Sequence, residues 1–255
     1  MDEAPPAFVV GCQRSGTTLI RLMLDSHPNI SCGPETRFLG ELARLTDEHW
    51  PRLSLYGFPK EYWNEQVARL FGGFQADYAR SRNKTRWVDK TPRYALILPF
   101  ILEVFPHAQI IHVVRDGRAV VASHKSRFGY WSAVKAVEKW PRYIRAVRET
   151  SSTLPAEQHL EVHYERLVAD PEATMREVLQ FLGEDWDPAV LDYRSAEHAV
   201  MAHYGTFSEG RRAADGTSEA LYNSRITGWK KEIDPLLRTA IALRGRRTLR
   251  ELGYK

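Results

Sequence analysis

Three groups of residues in this chain are of the types that handle anions and protons. The first is Gly11-Cys12-Gln13-Arg14-Ser15-Gly16-Thr17-Thr18, in which glycines frame an arginine and a serine and two threonines follow. Glycines let a backbone approach a phosphate closely, hydroxyls donate to its oxygens, and a guanidinium binds an oxyanion bidentately. The glycine spacing is that of the nucleotide loop GxxxxGK[ST], but Thr17 stands where that loop carries lysine. That lysine reaches the β- and γ-phosphates of a nucleoside triphosphate. Its loss disfavours γ-phosphoryl chemistry and favours a donor with less terminal charge, such as a phosphosulfate. The second group is Arg115 with Ser123 and Arg127, the last two one helical turn apart. Two guanidiniums and a hydroxyl suit a phosphate monoester. A competing reading takes Ile110–Asp116 as a metal-holding strand with Asp116 on magnesium, although Arg115 beside it opposes a cation. The third places Glu35 in the turn-rich Gly33-Pro34-Glu35-Thr36-Arg37 and Lys90 in Trp87-Val88-Asp89-Lys90-Thr91-Pro92-Arg93-Tyr94. A loop glutamate of this kind can project into a cleft, and Lys90 is placed to stabilise an oxygen as its bond breaks. Arg37 either orients Glu35 or pairs with a neighbour.

These residues need elements to position them. Phe8-Val9-Val10 is a short apolar β-type run ending in Gly11, and Thr17–Leu24 follows with Leu19, Leu22 and Met23 on one helical face, stopped by His27-Pro28-Asn29. Residues 36–85 read as mostly helical and Arg86–Asp89 as a short strand. Ala108–Val114 is nearly continuous in apolar residues, as expected of a parallel strand covered on both faces. A helix is expected from Gly117, another over 132–150, a strand over Leu160–Tyr164, and a helix over 172–182 ending at Gly183. Strands alternating with helices predict an α/β fold of the P-loop type, a three-layer α/β/α arrangement around a mainly parallel sheet. No linker or repeat divides the chain, so one domain is expected over residues 1–255, with 204–220 a loop over the site.

Composition narrows the class. A hydrophobic fraction of 43% and a charged fraction of 27% over 255 residues are those of a globular protein with a sizeable core. The net charge of +4 suits a polyanionic small ligand, and the basic residues are scattered with no aromatic-rich basic stripe, which disfavours nucleic acid. Cys12 and Cys32 form no CxxC pair, so no zinc site is expected and both are read as reduced. No leader, no membrane anchor and no apolar run of about 18 residues is seen, so the expectation is a cytoplasmic protein.

Gln13-Arg14-Ser15-Gly16-Thr17-Thr18, running on to Leu24-Asp25-Ser26-His27-Pro28 and Cys32-Gly33-Pro34-Glu35-Thr36-Arg37, resembles the PAPS-dependent sulfotransferase family, and within it the tyrosylprotein sulfotransferases. PAPS is 3′-phosphoadenosine-5′-phosphosulfate, and PAP the bisphosphate product. The resemblance is nearly gapless over residues 9–37 and returns at 86–94, 110–127 and 160–183. It implies that Arg14, Ser15, Gly16, Thr17 and Thr18 bind the 5′-phosphosulfate and that Arg115, Ser123 and Arg127 bind the 3′-phosphate. It further implies that Glu35 is the general base and that Lys90, with Arg14, steadies the transferring group, with no metal. Tyr164 either contacts the nucleotide, as in similar proteins, or packs in the core. A late loop of the family supplies a serine and basic residues; Ser224, Arg225 and Lys230 are the candidates here, with Lys231 around Trp229 and Ser218 as a further choice. His107, His112 and His163 read as structural. The acceptor is left open among small-molecule, glycan, lipid and peptide hydroxyls, and the oligomeric state is not readable. A kinase-like phosphotransferase and a non-catalytic nucleotide-binding module are the alternatives.

Overall fold

A computed structural model describes residues 4–194, 198 and 226–254. Strand β1 (Ala7–Gly11) feeds helix α1 (Thr17–Ser26), and the two-residue strand β2 (Ile30–Ser31) follows. An excursion of two helices, α2 (Phe38–Leu53) and α3 (Lys60–Ser81), separates β2 from β3 (Arg86–Lys90). Helix α4 (Leu98–Val104), strand β4 (Gln109–Val114), and helices α5 (Gly117–Phe128) and α6 (Tyr130–Ser151) come next. Strand β5 (His159–His163) leads into α7 (Tyr164–Ala169) and α8 (Pro171–Leu182). The C-terminal helices are α9 (Trp229–Glu232), α10 (Pro235–Arg244) and α11 (Arg246–Glu251).

The strands form one sheet in the order β2-β3-β1-β4-β5, and every pairing is parallel. The doubly covered strand expected over 108–114 is β4, next to the central β1. Alternation of side chains divides the core between the two faces. Phe8, Val10, Ile110 and Val114 face one apolar cluster, covered by α2 to α6 and the C-terminal helices. Ala7, Val9, Ile111 and Val113 face the other, covered by α1, α7 and α8. The expected three-layer arrangement is therefore present. Full burial of a side chain such as Phe8, Leu24 or Ile110 contributes about 1.5–3 kcal/mol each.

Most expected elements are present with ends shifted by one or two residues; two differences bear on the site. Strand β2 was not expected, because two residues carry no readable alternation; backbone pairing of Ile30 with Arg86 and Ser31 with Trp87 defines it. Strand β5 ends at His163, one residue early, so Tyr164 opens a helix. Among the described residues no helix is long and apolar enough to cross a membrane.

Candidate active site

Because all strands point the same way, their carboxyl ends share one edge of the sheet, where α/β proteins place ligands. In sheet order that edge presents Glu35, beyond β2; Lys90, the last residue of β3; the loop after β1, residues 12–16; Arg115, just after β4; and Tyr164, just after β5. At about 4.8 Å between strands this row covers about 20 Å, enough for an extended nucleotide.

The loop after β1 has the backbone shape of an anion cradle. Arg14 and Gly16 adopt left-handed backbone angles, φ 74° and 98°, and Ser15 N–H donates to the Cys12 carbonyl at 3.2 Å. Gly16 caps α1 without any side-chain bond to the helix's first N–H groups, which leaves that positive terminus to a ligand. Ser15 Oγ is fully buried with no hydrogen-bond partner, an orphan donor beside the same terminus. A Cβ on Gly16 would stand 2.2 Å from the Tyr164 ring. A glycine is therefore required here both by backbone angle and by space.

The neighbouring strand ends lock onto this loop. Arg14 Nε donates to Ser123 Oγ at 2.9 Å, and Arg115 Nη1 donates to the Arg14 carbonyl at 3.0 Å. The Arg115 guanidinium lies 4.3 Å above the centre of the Tyr164 ring. Trp140, on α6, donates from its indole N–H to the Arg115 carbonyl at 2.9 Å, and its ring fills the space that a Cβ on Gly117 would need. Tyr164 is thus both core and site: its buried ring is the wall between Gly16 and Arg115. Ser123 and Arg127 lie one turn apart on α5, with Arg127 exposed. The Asp116 carboxylate caps α5 through Arg118 N–H at 2.8 Å and pairs with Arg118 Nη2 at 2.7 Å. Both bonds tie it to its own helix, so the magnesium-ligand reading of Asp116 finds no support.

At the other end of the row, Lys90 Nζ donates to Glu35 Oε1 at 2.7 Å. Arg37 donates to Glu35 Oε2 through Nη2 at 2.9 Å and Nε at 3.2 Å, which makes it a local partner that orients the carboxylate. Burial works to raise the Glu35 pKa, but the Lys90 ammonium, and then Arg37, hold it below the ordinary carboxylate value. Burial holds Lys90 below its ordinary value against the pull of Glu35. The two groups are in direct contact, and each shifts the other toward its charged form.

Several supports were not legible in the sequence. Arg21, buried on α1, donates from Nε to the Cys32 and Gly33 carbonyls, both at 3.0 Å, and so holds the approach to Glu35. Asp25 accepts the Cys32 N–H at 2.9 Å and pairs with Arg82 at 2.5 Å and with His198 at 2.9 Å. Burial alone would raise Asp25; the bonds from His198 and Arg82 hold it well below the carboxylate range. Thr36, Asp89 and Tyr94 form a third support. The usable signal for these was the acid Asp89 inside an otherwise buried strand, since an unpaired buried carboxylate is costly.

Beyond α5, a cavity of about 240 Å³ is lined by Asp116, Arg118, Glu165, Trp229, Lys230 and Tyr254, with Arg118 stacked 4.3 Å over Trp229. Lys230 is exposed at its rim; Ser224, Arg225, Ser218 and residues 204–220 lie outside the described residues. His112 lies 3.2 Å from Glu161, which also pairs with Arg148, a structural cluster on the far strand. Cys12 and Cys32 are free and buried, and burial pushes both thiols up to about 12, so neither is a nucleophile near neutral pH.

The profile of the sulfotransferase family matches residues 5–188. A protein-tyrosine sulfotransferase of Drosophila melanogaster is 35% identical over 245 residues, covering 91% of this chain and 48% of that protein. Protein-tyrosine sulfotransferase A of Caenorhabditis elegans is 32% identical over 202 residues, 74% of this chain and 53% of that one. Protein-tyrosine sulfotransferase 1 of Danio rerio is 34% identical over 244 residues, 91% and 67%. The chain therefore spans about half the length of the fly and nematode relatives. Among solved structures, the sulfotransferase domain of a Synechococcus olefin synthase superposes with a TM-score of 0.70 at 23% identity, covering 97% of this chain and 96% of that one. A mouse sulfotransferase complexed with PAP gives 0.55 at 13%, covering 97% and 85%. These likenesses bear on the fold.

Proposed function

The chain belongs to the sulfotransferase family, and from that premise we propose that it moves a sulfuryl group from PAPS to a hydroxyl, with the phenol of a peptide tyrosine as the first acceptor to test. The observation that carries this reading is the row of groups along the sheet edge: base, lysine, anion loop, arginine, tyrosine, each at the end of a different parallel strand. The tyrosine acceptor is supported by relatives 32–35% identical over most of this chain.

The residues fit the donor. The uncapped start of α1 and the orphan Ser15 Oγ suit the 5′-phosphosulfate, with Thr17 and Thr18 adding hydroxyls. Arg115, with Ser123 and Arg127 on α5, suits the 3′-phosphate, and Arg14 reaches between the two groups through its bond to Ser123. In the transfer, Glu35 Oε1 takes the acceptor's proton as its oxygen attacks sulfur, and the bond from sulfur to the phosphate oxygen breaks. Lys90 Nζ, released from Glu35, stabilises the negative charge that forms on that oxygen. The Glu35–Lys90 contact keeps each group in its reactive protonation state before substrates bind. Lys230 and the cavity beside Trp229 belong to the nucleotide side of the cleft in this reading, with Ser224 and Arg225 as further contacts.

Calorimetric titration with PAP, AMP and ATP tests the donor. PAP is expected to bind more tightly than AMP, and Arg115→Ala to remove about 1.5–3 kcal/mol of that difference, the range for hydrogen bonds to charged groups. Tighter binding of ATP than of PAP, further improved by magnesium, would replace this reading with a kinase.

A further inference from the structure

Glu35 and Lys90 are joined by more than their own ion pair. One residue along each segment, Thr36 Oγ1 donates to Asp89 Oδ2 at 2.7 Å. Tyr94 Oη lies 2.8 Å from Thr36 Oγ1 and accepts the Leu39 N–H at 3.0 Å. Gln75 Nε2, from α3, donates to the same Asp89 oxygen at 3.0 Å. The directions of these bonds are fixed by valence. Thr36 has one hydroxyl hydrogen, and the ionised Asp89 only accepts, so that hydrogen goes to Asp89. Tyr94 must then donate to Thr36, which leaves its oxygen lone pairs for Leu39. Asp89, Tyr94 and Gln75 are buried. Burial pushes Asp89 up to about 6 against its bond from Thr36, so the carboxylate is ionised at neutral pH.

The first rung of this ladder, Glu35 to Lys90, cannot persist through the reaction. Glu35 must turn to the acceptor proton, and Lys90 to the leaving oxygen, so each lets go of the other. Once both have done so, their mutual attraction no longer holds residues 33–37 at the sheet edge. The second rung takes no part in the chemistry and has no reason to open.

We propose that Thr36, Asp89 and Tyr94 are positioning residues that keep Glu35 in register with Lys90 while their ion pair is broken. This inference rests on the roles assigned above to Glu35 and Lys90. Thr36→Val has almost the shape of threonine but can neither donate nor accept, and Thr36→Ser restores the hydroxyl. Turnover would be measured with PAPS and a tyrosine-containing peptide, beside calorimetry with PAP and hydrogen exchange at the Leu39 amide.

Thr36→Val is expected to lower kcat by about tenfold to a hundredfold, the scale of a misplaced catalytic group, with PAP affinity unchanged within about twofold. Thr36→Ser should return kcat to within about threefold of wild type. Tyr94→Phe should speed exchange at Leu39, with or without substrate. A Thr36→Val enzyme with wild-type kcat, or one that loses kcat and PAP affinity in equal measure, would overturn the proposal. Unchanged exchange at Leu39 in Tyr94→Phe would do the same. Glu35→Gln serves as control. If it abolishes turnover while Thr36→Val does not lower it, the positioning unit alone fails. If Glu35→Gln turns over normally, the base assignment fails and this inference with it.

Discussion

The two ends of the active-site edge are held in different ways. At the end proposed to take the nucleotide, tight shape is added to the bonds among Arg14, Ser123, Arg115 and Trp140. Gly16 fits against the Tyr164 ring, Gly117 against Trp140, and Gly11 against the Val113 carbonyl, each at a distance that no Cβ tolerates. At the transfer end, polar bonds hold the groups: Glu35 to Lys90, Thr36 to Asp89, and Arg21 to the Cys32 and Gly33 carbonyls. The contrast matches what each end must do. A bound phosphate keeps its charge throughout, so a close-packed cradle can be built once. In the proposed reaction the transfer end sees a proton and a negative charge change places, so its groups must release one partner and take another without losing their positions.

The sharpest way to separate the two ends is Glu35→Gln, which keeps the shape and removes the base. It should lower kcat by about 10²–10⁴-fold, the usual worth of a general base, and leave PAP affinity unchanged by calorimetry. Gly16→Ala should do the reverse. Its Cβ collides with Tyr164 in a left-handed conformation that costs about 1–3 kcal/mol, read as a lower Tm and a weaker PAP affinity, with the acid limb of turnover in place. A subtler break is Trp140→Phe. It keeps an aromatic ring against Gly117 but leaves the Arg115 carbonyl without its indole donor, which should weaken PAP by about 1 kcal/mol, or roughly fivefold. The smallest effect is in pH. Since the Lys90 ammonium opposes burial and keeps the Glu35 pKa below its ordinary value, the Glu35 step in the acid limb of kcat/KM should lie below pH 4.5 in wild type, apart from any step that Asp89 adds near 6. In Lys90→Ala burial meets less opposition, so the residual activity should lose its acid limb at a higher pH. An unmoved limb would mean that the titrating group is elsewhere.

The residues grouped at the proposed nucleotide end were mostly readable from the chain alone. Gly11, Arg14, Gly16 and Arg115 sit at strand ends, and their residue types state their chemistry. Glu35 and Lys90 were readable as a base and a cation through family resemblance, but not as partners, because their segments meet only after the α2–α3 excursion is folded. The Thr36–Asp89 bond joins residues 53 positions apart, and no local pattern announces it. Trp140 was hidden for the same reason: its indole serves a carbonyl 25 positions earlier. Tyr164 fell between the two readings because it fills both, and strand β2, only two residues long, exists through its partner.

The order of the strands also bears on how the chain survives its own synthesis. β1 lies between β3 and β4, with Ala7 paired to Val88 on one side and to Gln109 on the other. At about 5–20 residues per second, the ribosome needs on the order of ten seconds to deliver β4 after β1. Until β3 emerges the apolar run Phe8-Val9-Val10 has two open edges, and from then until β4 arrives it has one, the kind that pairs with other chains. The α2–α3 excursion sets most of the time before β3 can close the first of these edges, so a shorter excursion would shorten that exposure.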